Sequence, residues 1–459
     1  MNFTKVHIIG IGGISMSGIA KILLKRGYQV SGSDIKENEQ VKLLKDLGAQ
    51  VHIGHKASNI KQADAVVYTN AVEKNNIELV TARKQGIKIF KRAEFIAELF
   101  KDKDTIAITG THGKTTTTSM LATIFVNATQ DPSVMVGGNL DLIDGNIKSG
   151  KGKYFITESD ESDGSLTFFD PYYAVLTNIE WDHFNYYKSK KDLIKKFQEF
   201  ISKIPKSGAL LLWGEILKDY PKLLSDDIEY FTYGFKDENY QARNLQLDKF
   251  KSSFKLYKNN EYIDTIELNV PGRHNILNAL AAFGVSEQAG LSKDDIIQGL
   301  KHYKGVKRRF EKKGIYQGAL VVDDYAHHPT EIINTIETAV GTDPAKIYVV
   351  FQPHRYSRTQ NLMEEFSRSF DKADQLILTD IYSASEEPIE GVSSKELYKL
   401  IEKHKKENSL DIKLNYLSEF NAIIGYLKDN LSKNDLLITI GAGNVHEIGE
   451  ALVGEQSEK

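Results

Sequence analysis

The sequence predicts an α/β protein built from three domains. Short apolar runs alternate with helical patterns over its 459 residues, which is typical of strands and helices in parallel sheets. A charged stretch at Lys101–Asp104 and a new series of apolar runs after Lys312 divide this alternation into three units. We therefore expect domains at residues 1–103, 104–311 and 312–459.

The composition excludes several classes of protein. A formal net charge of −3 gives no basic surface of the kind that nucleic-acid partners require. The chain has no cysteine, which rules out disulfides, thiol nucleophiles and cysteine-ligated zinc. No apolar stretch approaches the roughly 18 residues of a membrane span, and the N-terminus has no signal sequence. We expect a cytoplasmic protein with neither nucleic acid nor membrane as a partner, and the sequence leaves monomer and dimer open.

The first domain is predicted to be Rossmann-like. Strands are expected at Val6–Ile9, Gln29–Ser33 and Ala65–Tyr68, with a helix at Met16–Lys25. A glycine loop follows the first strand, and an aspartate ends the second at about the spacing of a ribose-binding acid. Ser15 stands at the third glycine position of that pattern. A nucleotide diphosphate substrate therefore fits as well as a nicotinamide cofactor, and a tight turn without a ligand is the simplest alternative. The candidate binding residues are Gly12, Gly13, Ser15 and Asp34.

Residues 109–115 predict a phosphate loop at the start of the second domain. They read Thr-Gly-Thr-His-Gly-Lys-Thr, after the apolar run Ile106–Ile108 and before a helical pattern. In such a loop, backbone amides and the helix N-terminus face phosphate, a lysine adds charge and a threonine hydroxyl binds Mg²⁺. The motif is imperfect, because Ile108 stands where the usual pattern has its first glycine. We expect Lys114 and Thr115 to bind a nucleoside triphosphate and its metal, which makes this a P-loop ATPase domain with a mostly parallel sheet.

Two more strand ends of the second domain carry polar side chains. Strands predicted at Tyr154–Thr157 and Ala174–Thr177 are followed by Glu158 and His183. Each residue alone is more often a solvated acid or a structural histidine. Because parallel strands end at the same edge of a sheet, however, we expect both to meet Thr115 there. Oxygen ligands suit a hard divalent cation, so Thr115 and Glu158 predict a cation site at this edge, with His183 at a third strand end beside it.

The rest of the second domain is predicted to contain a hairpin and a helix, and it ends in a pair of arginines. Alternating residues on both sides of Asn259–Asn260 predict an antiparallel hairpin, and Asn275–Gln288 predicts a helix. Arg308 and Arg309 stand at the domain's end, where arginines can reach phosphates across a cleft. A solvated face is an equally common place for paired arginines.

The third domain is predicted to be a second Rossmann-like α/β unit. Strands are expected at Leu320–Val322, Ile347–Phe351, Gln375–Leu378 and Leu436–Ile440. Histidines and arginines follow the first two of these strands. The adjacent histidines 327 and 328 suggest zinc, but the sequence offers no spaced set of partner ligands. The candidate cleft residues are Asp324, His327, His328, His354, Arg355 and Arg358.

Together these motifs resemble the Mur ligase family over essentially the full length of the chain. The segments that carry the resemblance are HIIGIGGISMSGIA, SGSD, AVEKNN, TGTHGKTTTT, ESDESDGSL, TNIEWDH, PGRHNILNALAA, GVKRRFE, DDYAHHPTE, FQPHRYSRT and GAGN. TGTHGKTTTT and DDYAHHPTE are the specific ones, whereas the first glycine loop alone is a weak signal. The resemblance implies one domain for the UDP end of a substrate, one for ATP and one for an amino acid.

Within the family, the chain is most similar to members that act on UDP-N-acetylmuramate. The resemblance therefore implies an ATP-dependent ligase that joins L-alanine to the lactyl carboxylate of UDP-N-acetylmuramate through an acyl phosphate, in peptidoglycan precursor synthesis. It also implies ATP and Mg²⁺ as cofactors.

The resemblance assigns roles to residues motif by motif. It implies ATP binding by Gly110, Thr111, His112, Gly113, Lys114, Thr115, Thr116, Asn275, Arg308, Arg309 and Asp324. It implies Mg²⁺ binding by Thr115, Glu158 and His183. It implies substrate binding by Gly12, Gly13, Ser15, Asp34, Arg92, His327 and His328. It implies a catalytic set of Lys114, Glu158, His183, His354, Arg355 and Arg358.

Four alternatives stay open at the level of the sequence. The chain could be a recycling ligase that attaches a peptide instead of alanine, or a folate or other amide-bond ligase of the same fold. The full N-terminal domain argues against the second of these. A nicotinamide-dependent dehydrogenase would use the first glycine loop and would bind NAD(P). A non-enzymatic nucleotide switch would bind nucleotide without turnover.

Overall fold

A computed structural model describes residues 3–69, 71–162, 164–182, 186–225 and 227–457. These residues form a sheet in each of the N-terminal, central and C-terminal parts of the chain, with helices packed on the sheets. The predicted three-domain α/β class is therefore confirmed. Among the described residues, no helix is both long and apolar enough to cross a membrane.

The N-terminal sheet is parallel throughout its described strands, with the order β3-β2-β1-β4-β5. The chain moves from β1 to β2 on one side and returns to β4 on the other, so the sheet changes direction at the end of β1. In sheets of this kind a crevice opens at that point, and here the glycine loop occupies it. The elements are β1 Lys5–Ile9, α1 Ile14–Lys25, β2 Gln29–Asp34, α2 Glu39–Asp46, β3 Gln50–Ile53, β4 Ala65–Tyr68, α3 Ile77–Gln85, β5 Lys88–Lys91 and α4 Arg92–Leu99.

The central sheet has the strand order β15-β14-β13-β12-β11-β10-β6-β9-β7-β8. Its middle is parallel, while β8 at one edge and the β14–β15 hairpin at the other are antiparallel. The elements are β6 Asp104–Thr109, α5 Lys114–Asn127, β7 Ser133–Leu140, β8 Gly145–Lys148, β9 Tyr154–Glu158, β10 Tyr173–Leu176, α6 Lys190–Ile201, β11 Ala209–Trp213, α7 Glu215–Asp219, β12 Tyr230–Gly234, β13 Tyr240–Asp248, β14 Lys251–Lys258, β15 Glu261–Leu268, α8 Arg273–Gln288 and α9 Lys293–His302.

The register of this sheet brings the predicted polar strand ends together. β6 lies between β9 and β10, with Ile108 paired with Glu158 and Thr109 paired with Leu176. The phosphate loop after β6 therefore lies between the ends of both neighbours. The predicted hairpin is also confirmed: Asn259 and Asn260 have φ angles of 49° and 70°, as a two-residue turn with two left-handed residues requires.

The C-terminal sheet has the order β16-β17-β21-β18-β19-β20, and only β16 runs antiparallel among its described strands. β17 and β18 both pair with β21, so the loops after β17 and β18 leave the same edge of the sheet. The elements are β16 Glu311–Tyr316, β17 Ala319–Asp324, α10 Pro329–Val340, β18 Ile347–Phe351, α11 Tyr356–Asn361, α12 Met363–Ser367, β19 Gln375–Leu378, α13 Ser394–Glu407, β20 Lys413–Tyr416, α14 Phe420–Asn430, β21 Leu436–Ile440 and α15 His446–Ser457.

Each sheet has its own apolar core, and aromatic side chains join the first core to the central sheet. Phe100, at the end of α4, stacks on Phe155 of β9 with 4.3 Å between ring centroids. Arg26 donates to the Ser149 hydroxyl over 3.1 Å at the same boundary. The N-terminal sheet is thus packed directly against the part of the central sheet that carries Glu158.

Candidate active site

The phosphate loop depends on glycine at two positions. Gly110 and Gly113 have φ angles of +122° and +83°, in the region that side chains disfavour. A Cβ atom at Gly110 would collide with the Thr177 hydroxyl, and one at Gly113 would lie 2.7 Å from Asn278 Oδ1. The loop can therefore approach the end of β10 and the side of α8 only because both residues lack a side chain.

The segment after β10 fixes the backbone of this loop. The Asn178 side chain accepts a hydrogen bond from His112 N over 2.9 Å and donates one to His112 O over 3.0 Å. The Thr177 hydroxyl also donates to His112 O, and Glu180 N donates to the Thr111 hydroxyl over 2.9 Å. From this segment only the histidine was predicted to act in the site, and Asn178 was not. The sequence feature that could have identified Asn178 is its position directly after a strand that neighbours the phosphate loop.

The partly buried side chain of Lys114 lies against a fully buried carboxylate. Its Nζ atom lies 2.8 Å from Glu161 Oε2 and also donates to the carbonyl oxygens of Gly110 and Thr111. Burial would lower the pKa of Lys114, but the charge of Glu161, with that of Asp160 behind it, outweighs burial and raises the pKa. The ammonium group is therefore charged at neutral pH, as a phosphate ligand must be. The sequence analysis gave Glu161 no role.

Thr115 and Glu158 meet as predicted for a metal site. The Thr115 hydroxyl donates to Glu158 Oε2 over 3.1 Å, and Gly137 N donates to the other carboxylate oxygen. Burial raises the pKa of Glu158, against the opposing effects of the Gly137 amide and Lys114. A hydroxyl and a half-buried carboxylate form an oxygen donor set that fits Mg²⁺, whose charge would favour the ionised carboxylate. His183, the third predicted ligand, lies outside the described residues.

A cavity of about 360 Å³ opens beside the phosphate loop. Its lining combines polar groups of the loop and of Asn275 and Asn278 in α8 with several aromatic side chains. Asn278 accepts from the Thr117 hydroxyl over 3.2 Å and donates to Asn275, so α8 is tied to α5. Polar groups together with flat aromatic rings suit a nucleotide. Lining residues come from the central and the third domain and include His112, Thr115, Thr116, Trp213, Tyr233, Phe235, Tyr303, Arg309, Asp324 and Glu331.

The two boundary arginines point to different places. Arg308 has a φ angle of 61°, and its guanidinium binds Asp323 over 3.0 Å and the carbonyl oxygen of Gly441 over 2.7 Å. It therefore anchors the linker to the third domain and does not line the cavity. Arg309 does line the cavity, with Nη1 3.7 Å from Glu331 Oε1. Of the predicted pair, only Arg309 lies where a phosphate could reach it.

Asp324, at the end of β17, also borders the cavity. Its carboxylate accepts hydrogen bonds from Phe310 N over 2.7 Å and Ala326 N over 2.8 Å. Burial raises the pKa of Asp324 to about 6, although Arg309 acts in the opposite direction. These bonds hold the linker against the loop that follows β17, so Asp324 shapes this wall of the cavity.

The loop after β18 and the helix α11 that follows it place basic side chains at the boundary with the central domain. Arg358 is buried and lies 3.2 Å from Asp182 Oδ2, while its Nη1 lies 3.3 Å from His354 Nδ1. Burial lowers the pKa of His354 to about 4, helped by Arg358, and burial lowers that of His327 to about 3. Both imidazoles are neutral at pH 7. Arg355 is more exposed and lies 3.7 Å from Glu386.

His328 begins α10 and lies near a second group of possible ligands. His112, Glu180 and His328 each place one ligand atom within 4.8 Å of the others. Burial lowers the pKa of His112, but Glu331 and Glu180 outweigh it and raise the pKa to about 9. His112 is therefore an imidazolium at neutral pH, and a metal ion would have to displace its proton. The partners for His328 come from another domain, which is why no ligand spacing was visible in the sequence.

The predicted substrate residues of the N-terminal domain form a separate group. Gly12 N donates to Asp34 Oδ2 over 2.8 Å, and Asn38 donates to Gly12 O over 3.1 Å. Arg92 donates to the Ser15 hydroxyl over 3.1 Å at the start of α1. One Asp34 oxygen is therefore engaged by the loop itself. None of these residues lines the cavity beside the phosphate loop.

Comparison with known proteins gives matches along the whole chain. Residues 5–104 match the description "Mur ligase family, catalytic domain", residues 108–286 match "Mur ligase middle domain", and residues 308–443 match "Mur ligase, glutamate ligase domain". The UDP-N-acetylmuramate–L-alanine ligase of Clostridium acetobutylicum is 45% identical over 453 residues, which is 98% of each chain.

Solved structures agree with these matches. The UDP-N-acetylmuramate–alanine ligase of Thermotoga maritima superposes with a TM-score of 0.82 and 29% identity, over 99% of this chain and 100% of that one. A murein peptide ligase of Psychrobacter arcticus has a TM-score of 0.68 and 24% identity, over 98% of both chains, and shows likeness of fold alone.

Proposed function

The chain belongs to the Mur ligase family, and we propose that it is an ATP-dependent ligase that joins L-alanine to the lactyl carboxylate of UDP-N-acetylmuramate. The reaction is a step of peptidoglycan precursor synthesis. The observation that carries the proposal is the cavity at the phosphate loop, whose walls come from both the central and the third domain. The full-length identity of 45% to a ligase of this specificity supports the choice of substrates.

The chemistry requires activation of a carboxylate. A lactyl carboxylate oxygen attacks the γ-phosphorus of ATP, the bond to the β-phosphate oxygen breaks, and ADP leaves behind an acyl phosphate. The alanine amine then attacks the acyl carbon, phosphate leaves with the bonding electrons, and the nitrogen loses a proton. Both steps depend on positioning and on neutralising phosphate charge. Lys114, charged and in the loop, and Arg309, in the cavity wall, are placed for that task.

A cavity lined by both polar and aromatic side chains suits ATP. The loop from Gly110 to Thr116 would hold the phosphates with its amides, while Asn275 of α8 would contact the adenine. Thr115 and Glu158 would hold Mg²⁺, with His183 as a further ligand. The ion supplies positive charge that polarises the phosphoryl group.

The third domain would supply the alanine site. Arg355 and Arg358 carry the charge that a carboxylate requires, and Arg358 reaches the central domain through Asp182. The neutral rings of His327 and His354 can accept a hydrogen bond from an ammonium group without repelling it. His328 and Asp324 complete this side of the cleft.

The N-terminal glycine loop would hold the UDP end of the substrate. Amides at the start of α1, together with Arg92 and Ser15, suit a pyrophosphate. Asp34 keeps the loop in shape through Gly12. Since ATP and UDP-sugars are cytoplasmic, the proposal places the protein in the cytoplasm, as a monomer or dimer.

The test is phosphate release from ATP and Mg²⁺ with UDP-N-acetylmuramate. Each of the twenty amino acids and a stem peptide are supplied separately. Release with L-alanine, and weakly with glycine or serine, is the expected result, because one methyl group is worth about 1–3 kcal/mol of discrimination. Release with the stem peptide alone would instead assign the chain to peptide recycling, and release with none would reject the proposed acceptor.

A further inference from the structure

The side chain of His112 lies between carboxylates from two different domains. Its Nδ1 atom is 3.0 Å from Glu331 Oε1 of α10, in the third domain. Its Nε2 atom is 3.4 Å from Glu180 Oε2, in the central domain. The side chains of His112 and Glu331 are only 13% and 12% exposed, so this pairing is largely shielded from water. Charged pairs in such surroundings are stronger than surface pairs.

The two carboxylates are themselves connected through the first turn of α10. The Thr330 hydroxyl donates to Glu180 Oε2 over 2.7 Å, across the domain boundary. Glu331 Oε2 accepts from His327 N over 3.0 Å, so Glu331 is fixed within its own domain. The positive end of the helix dipole favours both carboxylates at this position. His112, Glu180, Thr330 and Glu331 are called the interdomain clamp below.

The interdomain clamp acts on a residue inside the phosphate loop. His112 stands two positions before Lys114, and its own N–H and C=O groups are held by Asn178. Its side chain is therefore the part of the loop that the third domain reaches. When the third domain lies against the central domain, His112 has a carboxylate on each side. Without Glu331, His112 would keep only Glu180.

We propose that the interdomain clamp aligns the phosphate loop for phosphoryl transfer when the third domain docks, which makes Glu331 and Glu180 positioning residues. The inference deepens and rests on the function proposed above. Docking of the domain that would carry alanine is then coupled to the loop that holds ATP. The clamp's side chains line the cavity, but the phosphate contacts are assigned to the loop amides and Lys114, so loss of the clamp should slow turnover more than it weakens ATP binding.

The test compares Glu331→Gln, His112→Gln and the double variant in the phosphate-release assay, with ATP titrated at saturating UDP-N-acetylmuramate and L-alanine. We expect Glu331→Gln to lower kcat about 10- to 100-fold, with the KM for ATP changed less than about threefold. The double variant should be no slower than the slower single variant, because both changes break the same link. Glu364→Gln, in an exposed pair with Arg368 of the same domain, is the matched control and should keep the wild-type kcat.

The outcomes separate this inference from the proposed function. An inactive wild-type enzyme would reject the function itself. With an active wild type, a Glu331→Gln variant that keeps kcat within about twofold would overturn the clamp, as would losses that multiply in the double variant. If Glu331→Gln shows no cooperative thermal unfolding, the variant is not folded and Thr330→Val is tested in its place. That change removes only the hydroxyl that binds Glu180. A kcat lowered about 3- to 10-fold supports the clamp, and an unchanged kcat overturns it.

Discussion

The glycine loop of the N-terminal domain and the phosphate loop of the central domain occupy equivalent positions in their sheets, but different residues contact them. Each follows a strand at the point where its sheet changes direction, and each precedes a helix. The backbone of the first loop is held by hydrogen bonds with Asp34 and Asn38 of its own domain. The second contains the partly buried ammonium group of Lys114 and is contacted by Glu331 from the third domain.

This difference shows that glycine spacing alone does not identify the ligand of a βα turn. Glycines permit a close approach of backbone amides to phosphate in both loops. The partly buried cation and its carboxylate partner set the second loop apart, as a triphosphate site would require, because a third phosphate brings charge that must be neutralised. We therefore expect changes at the second loop to affect turnover and changes at the first to affect substrate binding.

The largest effect is expected from Lys114→Ala. The triphosphate loses its charge partner, so kcat should fall by about three orders of magnitude or more. Phosphate release measured with both substrates saturating tests this. Lys399→Ala, at an exposed pair with Glu396, is the control and should behave as wild type. A kcat near the wild-type value for Lys114→Ala would reject the ATPase assignment.

Glu158→Ala should come next and should act through the metal. Removing the carboxylate beside Thr115 takes away an oxygen ligand, so the Mg²⁺ concentration that gives half-maximal rate should rise about tenfold or more. A Mg²⁺ titration of the rate measures this, with Glu215→Ala in the exposed pair with Lys218 as control. An unchanged titration curve would remove Glu158 from the metal site.

The strands and helices on either side of both loops could be predicted from the sequence, but the distant residues that contact the loops could not. The strands Ala65–Tyr68 and Ile347–Phe351 were predicted at the bounds the structure has, because both are apolar runs that end in polar turns. The partners Asn178 and Glu331 could not be predicted, since their roles depend on how strands and domains approach each other. The predicted domain bounds and the assigned site roles stay predictions.

Arg308 and Arg309 show that the sequence cannot predict where two adjacent identical side chains point. Both were predicted to reach phosphate, and neighbouring identical residues gave no reason to separate them. The left-handed backbone at Arg308 turns its side chain to Asp323, whereas Arg309 remains at the cavity. Backbone geometry at one residue decides this, and no pattern of residue types encodes it.

At the first loop, Gly12→Ala should raise the KM for UDP-N-acetylmuramate. A Cβ atom there would lie 2.8 Å from Val41 Cγ2 and 2.9 Å from Asp34 Oδ2, so the loop must shift. We expect about a tenfold higher KM for that substrate and an unchanged KM for ATP. Gly425→Ala, where an added Cβ meets no atom within 4 Å, is the matched control. Equal changes in both KM values would contradict the division of roles between the loops.

The smallest expected effect is a difference in pH sensitivity between the two loops. Ser33 holds the first loop by accepting from Gly10 N, and its hydroxyl donates to the buried Glu78 over 2.6 Å. Burial would raise the pKa of Glu78, but His7 and Ser33 outweigh it and lower the pKa to about 2. A carboxylate with a lowered pKa stabilises the fold above its ordinary value of 4.5, and this contribution is lost as the pH falls toward about 2.

At the second loop the pH dependence of stability has the opposite direction. The pKa of His112 is raised from 6.5 to about 9, so its stabilisation is complete below pH 6.5 and is lost as the pH rises through about 9. Thermal unfolding of wild type, Glu78→Gln and His112→Gln across pH tests both contributions, each of about 3 kcal/mol. The wild type should lose its advantage over Glu78→Gln in acid and over His112→Gln in alkali. If the two variants instead lost it over the same pH range, the charges beside the two loops would not differ in the way the structure indicates.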